Sequence, residues 1–305
     1  MGRIGIVRVS DEVESALSDG TPVIALESTV FSRLGLPQPA NADALNRCLS
    51  TFTDNGTVPG VTAVIKGEVC LGLRDSELEQ ILDAETKIAS RDLPMAMAEK
   101  IPVGVTTVSA SLAISAAAGV KVFCTGGIGG IHHGYEETGD LSADLYALAK
   151  HPVVCVSAGA KAFLDLPRTL EMLESLGVPV LGWKTDEFPA FYLRTSGIPI
   201  HRIEEAATVV NTLKNAASLS LPQGVLVGVP IPEKNQLDPE KVWPLIYKAL
   251  TTSKELGIRG PKVTPFILDA LAKETDGDSI PANLALLENN AQVAVKIAKE
   301  FQSKI

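Results

Sequence analysis

The order of apolar runs along this chain predicts an α/β fold: a largely parallel central sheet with helices on both faces, formed as a single domain over residues 1–305. Three observations carry the prediction. Apolar stretches of strand length alternate with segments of helical period almost throughout, which demands crossover connections and therefore parallel pairing. The composition, 46% hydrophobic with only 5% aromatic and a mean hydropathy of +0.20, describes a core of Ala, Val, Ile and Leu, as sheets covered on both faces tend to have. With 305 residues the chain is long enough for one large core, and no internal repeat or low-complexity linker divides it.

Taken in order, residues 23–27 read as a buried strand and residues 40–53 as a helix. Residues 61–73 read as a hairpin turned at Lys66-Gly67. Asp92 followed by Pro94 starts a helix. Residues 101–120 carry no charge and could in length span a bilayer. Pro102, Gly104, Thr106, Thr107, Ser109, Ser111 and Ser115 instead mark a strand end, a Thr/Ser turn and a buried helix of small residues. Further strands are expected over residues 120–124, 153–157, 178–181 and 225–229, and further helices over 238–251, 264–274 and 281–301. Residues 199–202 and 230–235 are candidate domain joints or ordinary surface loops.

A formal charge of −9 argues against nucleic acid and against an anionic membrane, because polyanions need a basic face. A small-molecule substrate is expected instead. Cys48, Cys70, Cys124 and Cys155 are widely spaced, form no C-x-x-C pair and sit in apolar surroundings, so they are expected to be reduced and buried. The start of the chain lacks the apolar segment of a signal peptide, which makes a cytoplasmic location the default. Ser303-Lys304-Ile305 differs by one conservative change from a peroxisomal address, which matters only in a eukaryote.

Chemistry concentrates in one passage. Thr125-Gly-Gly-Ile-Gly-Gly-Ile-His-His-Gly134 holds five glycines within nine residues and is followed by Asp140-Leu-Ser-Ala-Asp144 and Ala158-Gly-Ala-Lys161. Such a run lets backbone amides approach an anion. It fits neither the dinucleotide fingerprint nor the P-loop spacing. Ligands of parallel sheets sit outside the carboxyl ends of strands. Glu27, Thr125 and Lys161 each follow an apolar run. If those three strands are neighbours, an acid, an anion cradle and an amine converge on one edge. Each residue also has a plainer reading: Glu27 in a cap, the glycines in a tight turn, His132 and His133 on a surface loop, Asp140 and Asp144 at a helix start, Lys87 and Lys161 in solvent. Clustering favours a site.

Eight ordered blocks resemble pseudouridine-5'-phosphate glycosidases, the family also called indigoidine-synthase-A-like, over about residues 22–298. They are Ala25-Leu-Glu-Ser-Thr29, Thr106-Thr-Val-Ser109, Thr125-Gly-Gly-Ile-Gly-Gly-Ile-His132, Asp140-Leu-Ser-Ala-Asp-Leu145, Gly159-Ala-Lys161, Asp186-Glu-Phe-Pro-Ala-Phe191, Val263-Thr-Pro-Phe266 and Ala282-Asn-Leu-Ala-Leu286. The resemblance implies a lyase that reversibly splits pseudouridine 5'-phosphate into uracil and ribose 5-phosphate, uses Mn²⁺ or another hard divalent ion such as Mg²⁺, and assembles as a homotrimer. It implies Lys161 as the nucleophile that bonds to the anomeric carbon, Glu27 as proton donor and Asp140 as metal ligand. Lys87, Thr125 and His132 would face the sugar phosphate. Thr107, the Val108 backbone, Ser142, Ala143 and Asp144 would line the substrate, and Asn283 would contact the base, with Asn289-Asn290 as rivals.

The chemistry suits these residues. A C-glycoside has no leaving heteroatom for an acid to protonate, so two carboxylates do not suffice. A lysine amine supplies an electron sink as an iminium once the ribose ring opens. Glu27 suits protonation of the departing ring oxygen. Attack needs the uncharged amine, which predicts a largely dehydrated cleft. A lone Asp140 carboxylate with no Cys or paired-His spacing suits a water-rich Mn²⁺ or Mg²⁺ and not Zn²⁺. The chain departs from the motif at His133, where an arginine is expected, and at Ala89-Ser90. Two other classes fit parts of the pattern: a Schiff-base aldolase acting on another sugar phosphate, and a non-enzymatic sugar-phosphate binding protein.

Overall fold

The computed structural model describes residues 1–258, 260, 263–275 and 277–302. Ser303-Lys304-Ile305 lies outside the described residues. In chain order the elements are β1 (Arg3–Ile4), β2 (Val7–Val9), α1 (Asp11–Asp19), β3 (Val23–Leu26), α2 (Ala40–Thr53), β4 (Val58–Ile65), β5 (Glu68–Leu71), α3 (Asp75–Leu82), β6 (Lys87–Ile88), α4 (Leu93–Ala98), β7 (Val103–Thr106) and α5 (Val108–Ala117). Then follow β8 (Val122–Cys124), α6 (Tyr135–Thr138), α7 (Ala143–Lys150), β9 (Val154–Ser157), α8 (Leu166–Ser175), β10 (Val180–Trp183), β11 (His201–Ile203), α9 (Ala206–Ser218), β12 (Val225–Gly228), α10 (Pro239–Glu255), α11 (Val263–Glu274) and α12 (Ser279–Gln302).

Among the described residues the strands form one twelve-stranded sheet with the path β1-β2-β5-β4-β3-β8-β9-β12-β10-β11, and β7 and β6 extend from β4. The stretch from β4 through β3, β8, β9, β12 and β10 to β11 is parallel throughout, as the alternation of elements requires. Between these strands, antiparallel pairing occurs only for β1 with β2 and for β4 with β5 and β7. The β4–β5 hairpin turns where expected, at Lys66 (φ 51°) and Gly67 (φ 76°). Successive left-handed residues give the turn a twist that matches the strands.

The inner strands are buried at every position: Val23–Leu26, Val154–Ser157 and Val225–Gly228 show no alternation. Two-sided cover explains this, because helices on both faces leave no wet side. α12 lies over β8, β9 and β3 and packs along α2, and α5 covers the opposite part against α7. The run of small residues in α5 lets it sit close: Val108, Ser109, Ala110, Ser111, Leu112, Ile114 and Ser115 are all buried.

Differences from the sequence reading are small and have causes. The strand expected at residues 178–181 lies at Val180–Trp183, because Pro179 ends the turn after α8 and the Leu-Gly-Trp segment supplies the pairing. β1, β2, α1 and β11 were not anticipated. The first two pair for only two residues each, too short for a periodic signal. The strands on either side of residues 199–202, β10 and β12, pair with each other, and α12, beyond residues 230–235, packs on β8 and β9. The four cysteines are free and buried, and burial pushes their thiols up, Cys48 to about 12 and Cys70 to about 11. No described helix is long and apolar enough to cross a membrane.

Candidate active site

β3, β8 and β9 are consecutive parallel neighbours, so the residues at their carboxyl ends share one edge. Glu27 follows β3, Thr125 follows β8, and Lys161 follows β9 after a turn through Gly159 (φ 75°). A side chain at Gly159 would strike the Pro189 carbonyl oxygen, 1.9 Å from a Cβ placed there, so both the turn and the close approach require glycine. The turn is pinned to the glycine run: Ile128 N–H donates to Gly159 O (3.0 Å), and Lys161 N–H to Ile128 O (3.2 Å).

Glu27 is buried, 8% exposed, and accepts a hydrogen bond from the Thr125 hydroxyl. Desolvation raises its pKa to about 7 against the opposing pull of the Lys161 charge and the Thr125 hydroxyl, while Asp144 adds to the rise. It therefore exchanges a proton near neutrality. Lys161 is half-buried. Lys87 keeps a solvent-exposed side chain on β6, yet surrounding protein first and the Lys161 charge second lower its pKa. His132 is half-buried with its ring 6.3 Å from that of Phe163; burial lowers its pKa, opposed by Asp140. Glu27, Lys161, Lys87, His132, Asp140 and Asp144 are thus close enough to feel one another's charge.

A buried hydroxyl web underlies this edge. The Thr106 hydroxyl lies 2.8 Å from that of Thr62 and 3.2 Å from that of Ser28, and the Ser111 hydroxyl is 2.8 Å from that of Thr62. Thr106 N–H donates to the Ser28 hydroxyl (2.9 Å), tying β7 to the segment after β3. Sequence reasoning missed this web. Its only signal is polar residues inside apolar runs, such as Thr62 in β4 and Ser111 in α5. Thr107 stands at the N-cap position of α5 and pairs its hydroxyl with that of Ser109 (3.0 Å), and Val108 opens the helix and is buried.

Asp144 is committed to backbone. Its two oxygens accept from Ser109 N–H and Gly129 N–H, both at 2.9 Å, so it joins the start of α5 to the glycine run. Ser142 caps α7 by accepting from Asp144 N–H (3.2 Å), and Ala143 is the first residue of that helix. Part of the glycine run is likewise spent on packing: a Cβ at Gly129 would lie 2.4 Å from the Ser142 hydroxyl, and Ile131 N–H donates to the Thr169 hydroxyl (3.0 Å).

The rival asparagines part company. Asn290 is fully buried and donates to Thr125 O (2.9 Å) and Gly126 O (3.3 Å), bracing the segment that carries Thr125. Asn289 donates to Pro230 O (3.1 Å). Asn283 is 6% exposed, and its Oδ1, like that of Asn290, has no hydrogen-bond partner among the described residues. It bonds to Tyr192, whose phenol is pushed up by burial. Tyr192 stands edge-on to Phe191, with 4.7 Å between ring centroids. Phe191 holds a left-handed backbone (φ 58°) with its ring against Gly127, a strained position of the kind found at ligand sites.

The metal expectation finds a sparse donor set. Asp140 is half-buried, its carboxylate accepts no hydrogen bond among the described residues, and no group of three or more potential His, Cys, Asp or Glu ligands is present there. Asp144 is already satisfied by backbone. Only a hard ion that keeps most of its waters fits such a site. A larger surface groove of about 630 Å³ between α2 and α12 stands apart from all these residues.

The family model described as indigoidine synthase A like protein matches residues 12–300. A protein from Caldanaerobacter subterraneus subsp. tengcongensis named pseudouridine-5'-phosphate glycosidase is 45% identical over 298 residues, covering 97% of this chain and 96% of its own. One of the same name from Myxococcus xanthus is 46% identical over 300 residues, covering 97% and 98%. Two crystal structures superpose closely, each at 33% identity. The prealnumycin C-glycosynthase AlnA in complex with ribulose 5-phosphate has a TM-score of 0.90 over 98% of both chains, and an indigoidine synthase A-like protein from Thermotoga maritima has a TM-score of 0.88 over 99% of this chain and 98% of its own.

Proposed function

This chain belongs to the indigoidine synthase A like family, and from that premise we propose that it reversibly cleaves the C–C glycosidic bond of pseudouridine 5'-phosphate to uracil and ribose 5-phosphate. The observation that carries the reading is the pairing at one sheet edge of Lys161 with a buried Glu27 whose pKa lies near 7. An acid that exchanges its proton near neutrality, beside an amine, is what the reaction needs.

In the cleavage direction Glu27 gives its proton to the ribose ring oxygen as the bond from that oxygen to the anomeric carbon breaks. Lys161 Nζ bonds to the anomeric carbon, and the proton shed by the nitrogen passes to the Glu27 carboxylate. The bond to uracil C5 then breaks: its electron pair stays on C5, which takes the proton back from Glu27, while the nitrogen lone pair forms the iminium. Water hydrolyses the iminium, releasing open-chain ribose 5-phosphate and the free amine. Lys87 and His132 would face the phosphate, with Thr107, Val108, Ser142 and Ala143 along the substrate. Thr125 and Asp144 act through Glu27 and the backbone, and Asn283 offers its unpartnered oxygen to the base.

Asp140 would hold a Mn²⁺ or Mg²⁺ ion largely through waters. When bound, that ion supplies positive charge near the sugar. Chelation should therefore lower turnover without unfolding the chain. The homotrimer implied by the family resemblance is tested by mass in solution, as a species of three 32.1 kDa chains.

Incubation with uracil and ribose 5-phosphate tests the reaction. A C-nucleotide product is expected, and borohydride should fix the sugar on Lys161. An aldolase would give the adduct without the C-nucleotide, and a binding protein would give neither. Absence of both products ends the glycosidase reading.

A further inference from the structure

Further along the same sheet edge, beyond the carboxyl ends of β12 and β10, lies a second hollow of about 170 Å³. Trp183, Lys184, Arg194, Asn289, Gln292 and Lys296 line it, and no carboxylate does. Among the described residues none of the three cations stands in an ion pair. In a chain of net charge −9, three unneutralised cations around one cavity are not background. A bound anion would find three positive side chains on one wall.

The cations are held by the fold. Trp183 ends β10, and Lys184 follows it with a left-handed backbone (φ 55°), its N–H on Ile203 O at 2.8 Å. The Lys184 ammonium lies 6.0 Å from the centre of the Trp183 ring. Arg194 donates from Nη1 to Ile231 O (2.6 Å), which fixes the guanidinium and leaves its remaining N–H groups for a ligand. Asn289, Gln292 and Lys296 recur at helical spacing and present one face of α12. Gln292 and Lys296 also border the neighbouring groove, where Glu288 pairs with Arg47.

We infer that Lys184, Arg194 and Lys296 form an accessory binding site for a phosphate-type anion, apart from Glu27 and Lys161. The cavity is smaller than the roughly 300 Å³ at which pockets for drug-sized ligands begin, so the recognised unit is a phosphate group and not a whole nucleotide. Free inorganic phosphate and the phosphate end of a sugar phosphate share that chemistry. The inference stands whether or not the glycosidase reading does.

The chain has two tryptophans, so Trp243→Phe leaves Trp183, in the cavity wall, as the sole indole reporter. Inorganic phosphate titrated into this protein at constant ionic strength should change Trp183 emission saturably. Adding Lys296→Gln should weaken the apparent affinity by about tenfold, the effect of one charge-assisted hydrogen bond. Arg194→Gln should do the same and guards against a folding defect in either variant, with circular dichroism as the check. A parallel titration with ribose 5-phosphate separates the two sources: tighter binding there assigns the site to a sugar phosphate, equal or weaker binding to the free ion. A flat or linear response to both ligands overturns the inference, as do curves unchanged by Lys296→Gln and Arg194→Gln.

Discussion

Glu77 and Glu27 are buried almost equally, 7% and 8% exposed, and the protein treats them in opposite ways. Glu77, on α3 beside the antiparallel end of the sheet, is saturated. One oxygen accepts from Arg8 Nη2 (3.0 Å) and the other from Arg74 N–H (3.0 Å). Glu27, at the parallel edge, has one hydroxyl partner and a nearby amine in place of a guanidinium. A carboxylate held by a guanidinium and a backbone N–H is committed to structure. One held by a single hydroxyl in a dry setting has a proton to trade. Burial alone therefore does not mark a functional acid; what its two oxygens touch does.

The largest effect that sharpens this contrast is on turnover. Glu27→Gln keeps the shape and an acceptor for Thr125 but has no proton to give, so kcat should fall by about 10³-fold. Glu77→Gln should leave kcat within about threefold, since it lies outside the site. Steady-state kinetics on the two proteins decides it, and comparable losses would remove the distinction. Stability should reverse the order. Glu77→Leu removes the buried partner of the Arg8 guanidinium, which keeps only Glu68 at 3.3 Å, and should cost about 2 kcal/mol in denaturant unfolding.

Glu27 itself should lower stability as pH rises. Its folded pKa of about 7 lies above the unfolded carboxylate value near 4.5. The native state thus holds the proton more tightly, and the contribution is full below pH 4.5 and lost as pH climbs through 7. Glu27→Gln should flatten that slope and make the protein more stable than the parent at pH 8.5 by up to about 3 kcal/mol, because each pKa unit is worth about 1.4 kcal/mol. Unfolding curves at pH 5 and 8.5 measure it. A parent slope that survives the substitution would mean that the carboxyl titrates elsewhere.

Much of this contrast was legible in the sequence. Local rules placed α2 and the β4–β5 turn to the residue, because helical period and a Lys-Gly turn act over a few positions. The convergence of Glu27, Thr125 and Lys161 followed from apolar runs with polar ends, on the condition that three strands be neighbours. That condition is a tertiary fact, and the structure supplies it. What stayed hidden depends on partners distant in sequence: Asp144 sits 35 residues from Ser109, and Asn290 sits 165 from Thr125. The motif drew attention to Asp144 as a substrate contact, and its oxygens also hold the backbone N–H groups of Ser109 and Gly129. No spacing rule announces a carboxylate that serves as a clamp.

Asp144 is a third buried acid, 7% exposed, saturated like Glu77 but set within the site like Glu27. Asp144→Asn replaces one of the two oxygens that accept from backbone N–H groups and should cost about 2 kcal/mol of stability. It also removes a negative charge that raises the Glu27 pKa, so the alkaline limb of the cleavage pH–rate profile should move down from about 7.

Thr125→Val probes the same proton from the other side and carries the smallest effect. The Thr125 hydroxyl donates to Glu27 and thereby favours its charged form. Valine keeps the branched shape without the donor, so Glu27 should become harder to ionise. One hydrogen bond of about 1 kcal/mol corresponds to roughly 0.7 pKa unit, so the limb should shift up by about that amount. Cleavage uses the protonated acid, so the variant should keep its rate to a higher pH than the parent even if its maximum is lower. Opposite movements in Thr125→Val and Asp144→Asn would identify the titrating group as Glu27, because among the described residues no other carboxyl accepts from the first residue while feeling the charge of the second. If both profiles move the same way, the limb belongs to another group, and the buried acid at the end of β3 is then no different in kind from Glu77.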